Sequence, residues 1–128
     1  MALHRQHSAL AERCPIRDVV DRLGDRWTVL VLIELSAGGT LRFTELKRRI
    51  EDVSPRMLAQ TLRQLEENGL VVRTVFPTVP PRVDYALTAL GHSFFERVRG
   101  LIDWAEQHQQ AVRAARAAYV APVANAAL

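Results

Sequence analysis

Arg56, Gln60 and Arg63 lie in a segment, SPRMLAQTLRQLEEN at 54–68, in which Leu58, Leu62 and Leu65 recur at the spacing of one buried helical stripe. At about 100° per residue, the three polar side chains point opposite the leucines. Guanidinium and carboxamide groups presented in that way can each form two hydrogen bonds with a base edge in a DNA major groove, Arg with guanine and Gln with adenine. The alternative for the same pattern is an ordinary amphipathic helix with a solvated face. A second chemical candidate is Cys14, the single cysteine of the chain. It precedes Pro15 and sits between Arg13 and Arg17. A thiol at a helix N-terminus between two cations ionises more readily than a free one. The alternative for Cys14 is a small capping residue packed in an interface.

Other chemistry is missing from the pattern. The histidines (His4, His7, His92 and His108) are scattered and make no metal-ligand spacing with Cys14. One cysteine cannot build an internal disulfide framework. There is no Gly-rich phosphate loop and no nucleophile elbow. Neither a metal, a cofactor nor an enzymatic activity is expected.

The elements around 54–68 explain how its polar face would be held. Ser54 suits an N-cap and Pro55 the first helical position, where no N–H is needed. Asn68-Gly69 suits the stop. Upstream, Leu41-Arg42-Phe43 fits a short strand and Thr44 a cap for the helix ELKRRI, with Leu46 and Ile50 turned inward. Downstream, Leu70 to Phe76 and Arg82 to Leu87 read as two strands joined by PTVPP. Val83, Tyr85 and Leu87 would cover the core, and Arg82, Asp84 and Ala86 would face away. Helix, turn, helix and hairpin make a winged helix-turn-helix, a mainly α fold with a small β-hairpin wing.

Before this module, Pro15 opens a helix with the stripe Ile16, Val19, Val20 and Leu23, and Gly24 is expected to close it in the left-handed conformation. TVLVLIEL at 28–35 is apolar on nearly every side, so periodicity does not separate a buried helix from a buried strand there. After the module, Thr88 caps a long helix. Phe94, Val98, Leu101, Ala105, His108, Val112 and Ala115 follow at steps of four and three, with Phe95, Ile102 and Trp104 beside them. Such a seam is what two helices need to pack lengthwise, which favours a homodimer. The tail AAYVAPVANAAL fits either a short added helix or a disordered end, and residues 1–12 fit a mobile arm or a loose helix.

Composition agrees with a single domain over 1–128. Of 128 residues 48% are hydrophobic, enough for a small core that association would help to complete. The net charge of +3 is local: Arg42 to Arg82 holds eight Lys or Arg against five acids. A mild basic bias permits nucleic-acid binding without demanding it. Without a signal-peptide pattern or a run of 18 apolar residues, a soluble cytoplasmic protein with no membrane partner is expected.

Taken together, CPIRDVVDRLGDRW at 14–27, LRFTELKRRI at 41–50, SPRMLAQTLRQLEENGLVVR at 54–73 and PPRVDYALTALG at 80–91 resemble the HxlR-type winged-helix transcriptional regulators of bacteria, relatives of the MarR type. The likeness runs from Cys14 to about Trp104, and Asp84 stands where the family more often has Glu. It implies that TVLVLIEL is a helix. It also implies a homodimer joined through the N- and C-terminal helices, about 14–24 and 88–116, with Phe94, Val98, Leu101, Ala105 and Val112 in the interface. The helix-turn-helix would span about 43–68 and the wing about 70–87. By the same likeness Ser54, Arg56, Met57, Gln60, Thr61 and Arg63 belong to the DNA-reading helix, and Arg42 and Arg82 contact phosphate or the minor groove. The expected function is a dimeric repressor on an inverted-repeat operator in double-stranded DNA. It would respond to oxidants or electrophiles through Cys14, or to a small-molecule effector. The competing function is a winged-helix module for protein or RNA contacts, which the same fold can host.

Overall fold

A computed structural model of the chain describes residues 15–123. Cys14, the arm before it and the end of the tail lie outside the described residues. Two compact units divide at Glu96, and the last helix contributes to both.

In the first unit, α1 (Pro15–Leu23) carries the expected apolar stripe, of which Leu23 is buried while Ile16 and Val20 are largely exposed. Gly24 does not take the left-handed conformation. Its N–H donates to the Val20 carbonyl at 3.0 Å, and a Cβ there would meet that same oxygen at 2.6 Å. Close approach, not handedness, requires the glycine. Asp25 already caps the next helix, its carboxylate accepting from Thr28 N at 2.9 Å and from Thr28 Oγ1 at 3.1 Å.

That helix, α2 (Arg26–Gly38), contains TVLVLIEL. Thr28, Val31, Leu32 and Leu35 are fully buried, and Val29, Leu30 and Ile33 are half-buried. An all-round apolar helix belongs in a core, and α2 packs on the two helices that follow it and on the sheet. It ends at Gly39, whose positive φ of 76° favours glycine.

β1 (Leu41–Arg42) leads directly into α3 (Phe43–Arg49). The helix therefore starts before Thr44, and the expected threonine cap is not used. Glu45 instead accepts the Arg42 backbone N–H at 3.2 Å, tying the first turn to the strand. α4 (Pro55–Glu67) begins as expected, with Ser54 Oγ accepting from Met57 N at 3.0 Å. It closes with a paired motif in which Gly69 N donates to Glu66 O at 3.0 Å and Leu70 N to Leu65 O at 2.9 Å. Leu58, Leu62 and Leu65 are buried.

β2 (Val71–Phe76) and β3 (Arg82–Leu87) form the hairpin, and β1 adds to it as a third antiparallel strand in the order β1-β3-β2. Leu41 pairs with Tyr85 and Val71 with Leu87, so these four buried residues share one face. Arg42 pairs with Asp84 and Phe76 with Arg82 on the other face. That second face is not simply solvated, because Asp84 is only 6% exposed. These elements make a winged helix-turn-helix.

α5 (Ala89–Ala118) starts with Thr88, whose Oγ1 accepts from Gly91 N at 3.0 Å and donates to the Gly69 carbonyl at 2.6 Å. Phe95 is buried and Phe94 half-buried. In the second unit no described residue is buried. Val98, Ile102 and Val112 are half-buried; Leu101, Trp104 and Ala105 are exposed. Trp104 stacks on His108 with ring centroids 4.5 Å apart. Residues 119–123 are not helical, and Tyr119 and Val120 are exposed. Among the described residues no helix is long and apolar enough to cross a membrane.

Candidate nucleic-acid interface

α4 is held from behind and open in front. α1 and α2 pack against it, and β2 lies alongside. Its apolar side is used up by that packing, leaving Arg56, Met57, Gln60 and Arg63 exposed. Among the described residues neither Arg56 nor Arg63 has an ion-pair partner within 4.0 Å. Ser54 is exposed at the N-terminal end; its oxygen serves the cap, and its O–H remains able to donate.

Thr61 departs from expectation. It is 2% exposed, and its hydroxyl donates to the Met57 carbonyl at 2.8 Å, one turn back. A side chain so placed has no surface to offer a groove, and Thr61 leaves the set of contact residues.

The other cations in and around the helix-turn-helix divide into engaged and unengaged groups. Arg26 holds Asp52 at 2.7 Å and lies over the Trp27 ring. Arg49 meets Glu34 at 3.4 Å, and Lys47 Nζ donates to the Glu51 carbonyl at 3.1 Å. Arg42, Arg48 and Arg73 make no ion pair with a described residue. Two of these, Arg42 and Arg73, lie on the wing sheet.

Arg73 was not singled out by sequence reasoning. It pairs with Tyr85 across the hairpin. Together with Ala59, Arg63 and Glu66 of α4, these residues line a polar cleft of about 350 Å³ between helix and wing. The available signal was the strand period. Val71, Arg73 and Val75 share a face, and an arginine on the side that covers the core is uncommon without a purpose.

Arg82 is engaged, unlike Arg42. Its Nε donates to Asp84 Oδ1 and its Nη2 to Oδ2, both at 2.9 Å, and its guanidinium lies 5.1 Å from the Phe76 ring centroid. The hydrogen bonds from Arg82 hold the Asp84 carboxyl below the usual carboxylate range. Burial opposes this, and the charges of Arg82 and then Arg42 assist it. Arg82 is raised in turn, first by the same hydrogen bonds.

An exposed Arg/Gln helix face thus lies beside a sheet that carries basic side chains, and comparison with known proteins shows the family in which this arrangement occurs. Residues 22–113 match the model of the HxlR-like helix-turn-helix family. The chain is 44% identical over 112 residues to the uncharacterized HTH-type transcriptional regulator YtfH of Escherichia coli (strain K12), covering 88% of each. The solved ytfH structure from Salmonella typhimurium superposes with a TM-score of 0.75 at 44% identity, covering 84% of this chain and 95% of that one. The redox regulator HypR in its oxidized form gives a TM-score of 0.67 at 34% identity over 73% of this chain and 96% of its own. With helix-turn-helix, wing and most of the length matched together, the chain belongs to the HxlR-like helix-turn-helix family of transcriptional regulators.

Proposed function

We propose that the chain is a homodimeric, sequence-specific binder of double-stranded DNA that represses transcription from an inverted-repeat operator. The observation that carries this reading is the division of α4. Its three buried leucines are all used by the domain, while the side chains of Arg56, Met57, Gln60 and Arg63 stay exposed. Ser54 joins them at the helix start. Arg42 and Arg82 act on the backbone, setting affinity and register, while the helix face sets sequence preference. Arg56→Ala should therefore relax preference at one or two positions by roughly 1–3 kcal/mol per base pair. Arg42→Ala should weaken all duplexes alike and lower the salt slope by about one unit. Affinities for a selected and a scrambled duplex, measured across salt, separate the two. Equal behaviour of the two variants would refute the division of labour. Binding to a protein or an RNA in preference to duplex DNA would favour the interaction-module alternative.

For the signal we propose Cys14, supported by the likeness to a redox regulator. The chain has no other cysteine, so reaction of the thiol would give a Cys14–Cys14 bond between subunits, a mixed disulfide with a small thiol, or an adduct. With diamide, two thiols lose their hydrogens to the azo group and join. DNA affinity should fall after diamide, recover with dithiothreitol, and be unaffected by diamide in Cys14→Ser. Unchanged wild-type affinity after complete oxidation would leave Cys14 as a packing residue and return the signal to a small ligand.

A further inference from the structure

Asp84 is the only buried carboxylate among the described residues, and it stands on the basic face of the wing. A negative charge between Arg42 and Arg82 is costly on a surface meant for phosphates, so its presence needs a cause. Its geometry supplies one. An arginine has five N–H donors in a planar frame. Asp84 takes the side fork of Arg82, from Nε and Nη2, at 2.9 Å each. The end fork remains, formed by Nη1 and the second Nη2 hydrogen, and no described residue accepts from it. Phe76, the cross-strand partner of Arg82, sits against the guanidinium, and Arg42, the partner of Asp84, lies on the same sheet face. The side chain of Arg82 is 45% exposed whereas that of Asp84 is 9% exposed, so the anchor is inside and the anchored group outside.

We propose that Asp84 is a positioning residue, which grips Arg82 by one fork so that the other is presented, already oriented, to two oxygens of a DNA phosphate. This rests on the DNA-binding reading above. A guanidinium oriented in advance loses less freedom on binding, and its second fork matches the spacing of phosphate oxygens.

The test turns on sign. Asp84→Asn raises the net charge of the protein by one. A charge-only account predicts tighter DNA binding, and a purely structural staple predicts unchanged binding by the folded protein. Positioning predicts weaker binding, by about tenfold, because the amide cannot accept both N–H groups and the fork is released. Fluorescence anisotropy with a duplex selected from the source genome, on protein shown by circular dichroism to be folded, reads the difference. Asp84→Glu keeps the acceptor pair and should stay within about threefold of wild type. Arg82→Lys keeps the charge and leaves Asp84 with a cation, but an ammonium has no second fork. It should lose about as much as Asp84→Asn, and wild-type binding by it would overturn the positioning role even if Asp84→Asn does not fold. Wild-type or tighter binding by folded Asp84→Asn, or by Arg82→Lys, would overturn the positioning role while leaving DNA binding intact. A wild type that binds no duplex would overturn both.

Discussion

Leu101→Glu should turn the proposed dimer into folded monomers at micromolar concentration and remove most of its affinity for the proposed two-site operator. Leu101 is 68% exposed within one chain, and Trp104 is 52% exposed one turn on. Exposed residues of that size in and beside a heptad-like series, on a unit with no buried residue among those described, suit a surface completed by another helix. The same exposure means the substitution costs the isolated chain little. In a dimer related by a two-fold axis it introduces two unpaired carboxylates into an apolar contact, at a cost of about 3–5 kcal/mol. Dissociation then strengthens by roughly a thousandfold. Operator binding falls with it, because the second half-site loses the effective concentration supplied by its tethered partner, a factor of about 10²–10⁴. Light scattering and anisotropy read the two losses, with an unchanged circular dichroism spectrum as the control. A variant that remains dimeric would remove this helix from the interface, and a monomeric wild type would remove the dimer.

Gly91→Ala should lower stability by about 3 kcal/mol, the upper end for a forced addition of a methyl group. A Cβ at Gly91 would collide with the Leu70 carbonyl oxygen and approach Leu87 Cδ2 to 3.2 Å. That carbonyl already accepts from Thr88 N at 3.0 Å, so moving it breaks the junction between the wing and the start of α5. The midpoint of thermal unfolding should drop by on the order of 10 °C. Gly100 in the same helix is the control with the opposite sign. Nothing lies within 4 Å of a Cβ there, and Gly100→Ala should stabilise by about 0.5–1 kcal/mol through helix propensity alone. Similar melting curves for the two variants would mean that the crowding at Gly91 is not felt.

Local signals were the most legible. Ser54-Pro55 and Asn68-Gly69 bound α4 because capping is a matter of neighbouring residues, and both ends are where those residues place them. Gly24 shows the limit of such signals, since a glycine after a helix can serve handedness or close approach and the residue type does not distinguish them. Thr44 lost its capping role to a bond from the Arg42 backbone N–H to the Glu45 carboxylate, a choice that depends on where β1 releases the chain. The β-branched residues of TVLVLIEL favour strand by propensity, and burial among other helices overrides that preference.

Thr61 is a different case. Leu58, Thr61, Leu62 and Leu65 form an i, i+3, i+4, i+7 series, so the helical period placed Thr61 with the leucines, while resemblance to a family placed it on the DNA. The period was the better guide. In the wing, strand alternation sent Arg82 and Asp84 outward together. Burial of the acid by its own neighbour two residues back depends on partners across the sheet, which spacing along one strand does not reveal.

The central claim is that the exposed face of α4 reads duplex DNA. Its most direct test is a titration of the wild-type protein against a duplex selected from the source genome and against a scrambled duplex of the same composition, each at several salt concentrations. The expected result is one dimer bound across two half-sites about 34 Å apart, a marked preference for the selected duplex, and log affinity falling linearly with log salt. Equal, weak binding to both duplexes at every salt concentration would contradict it.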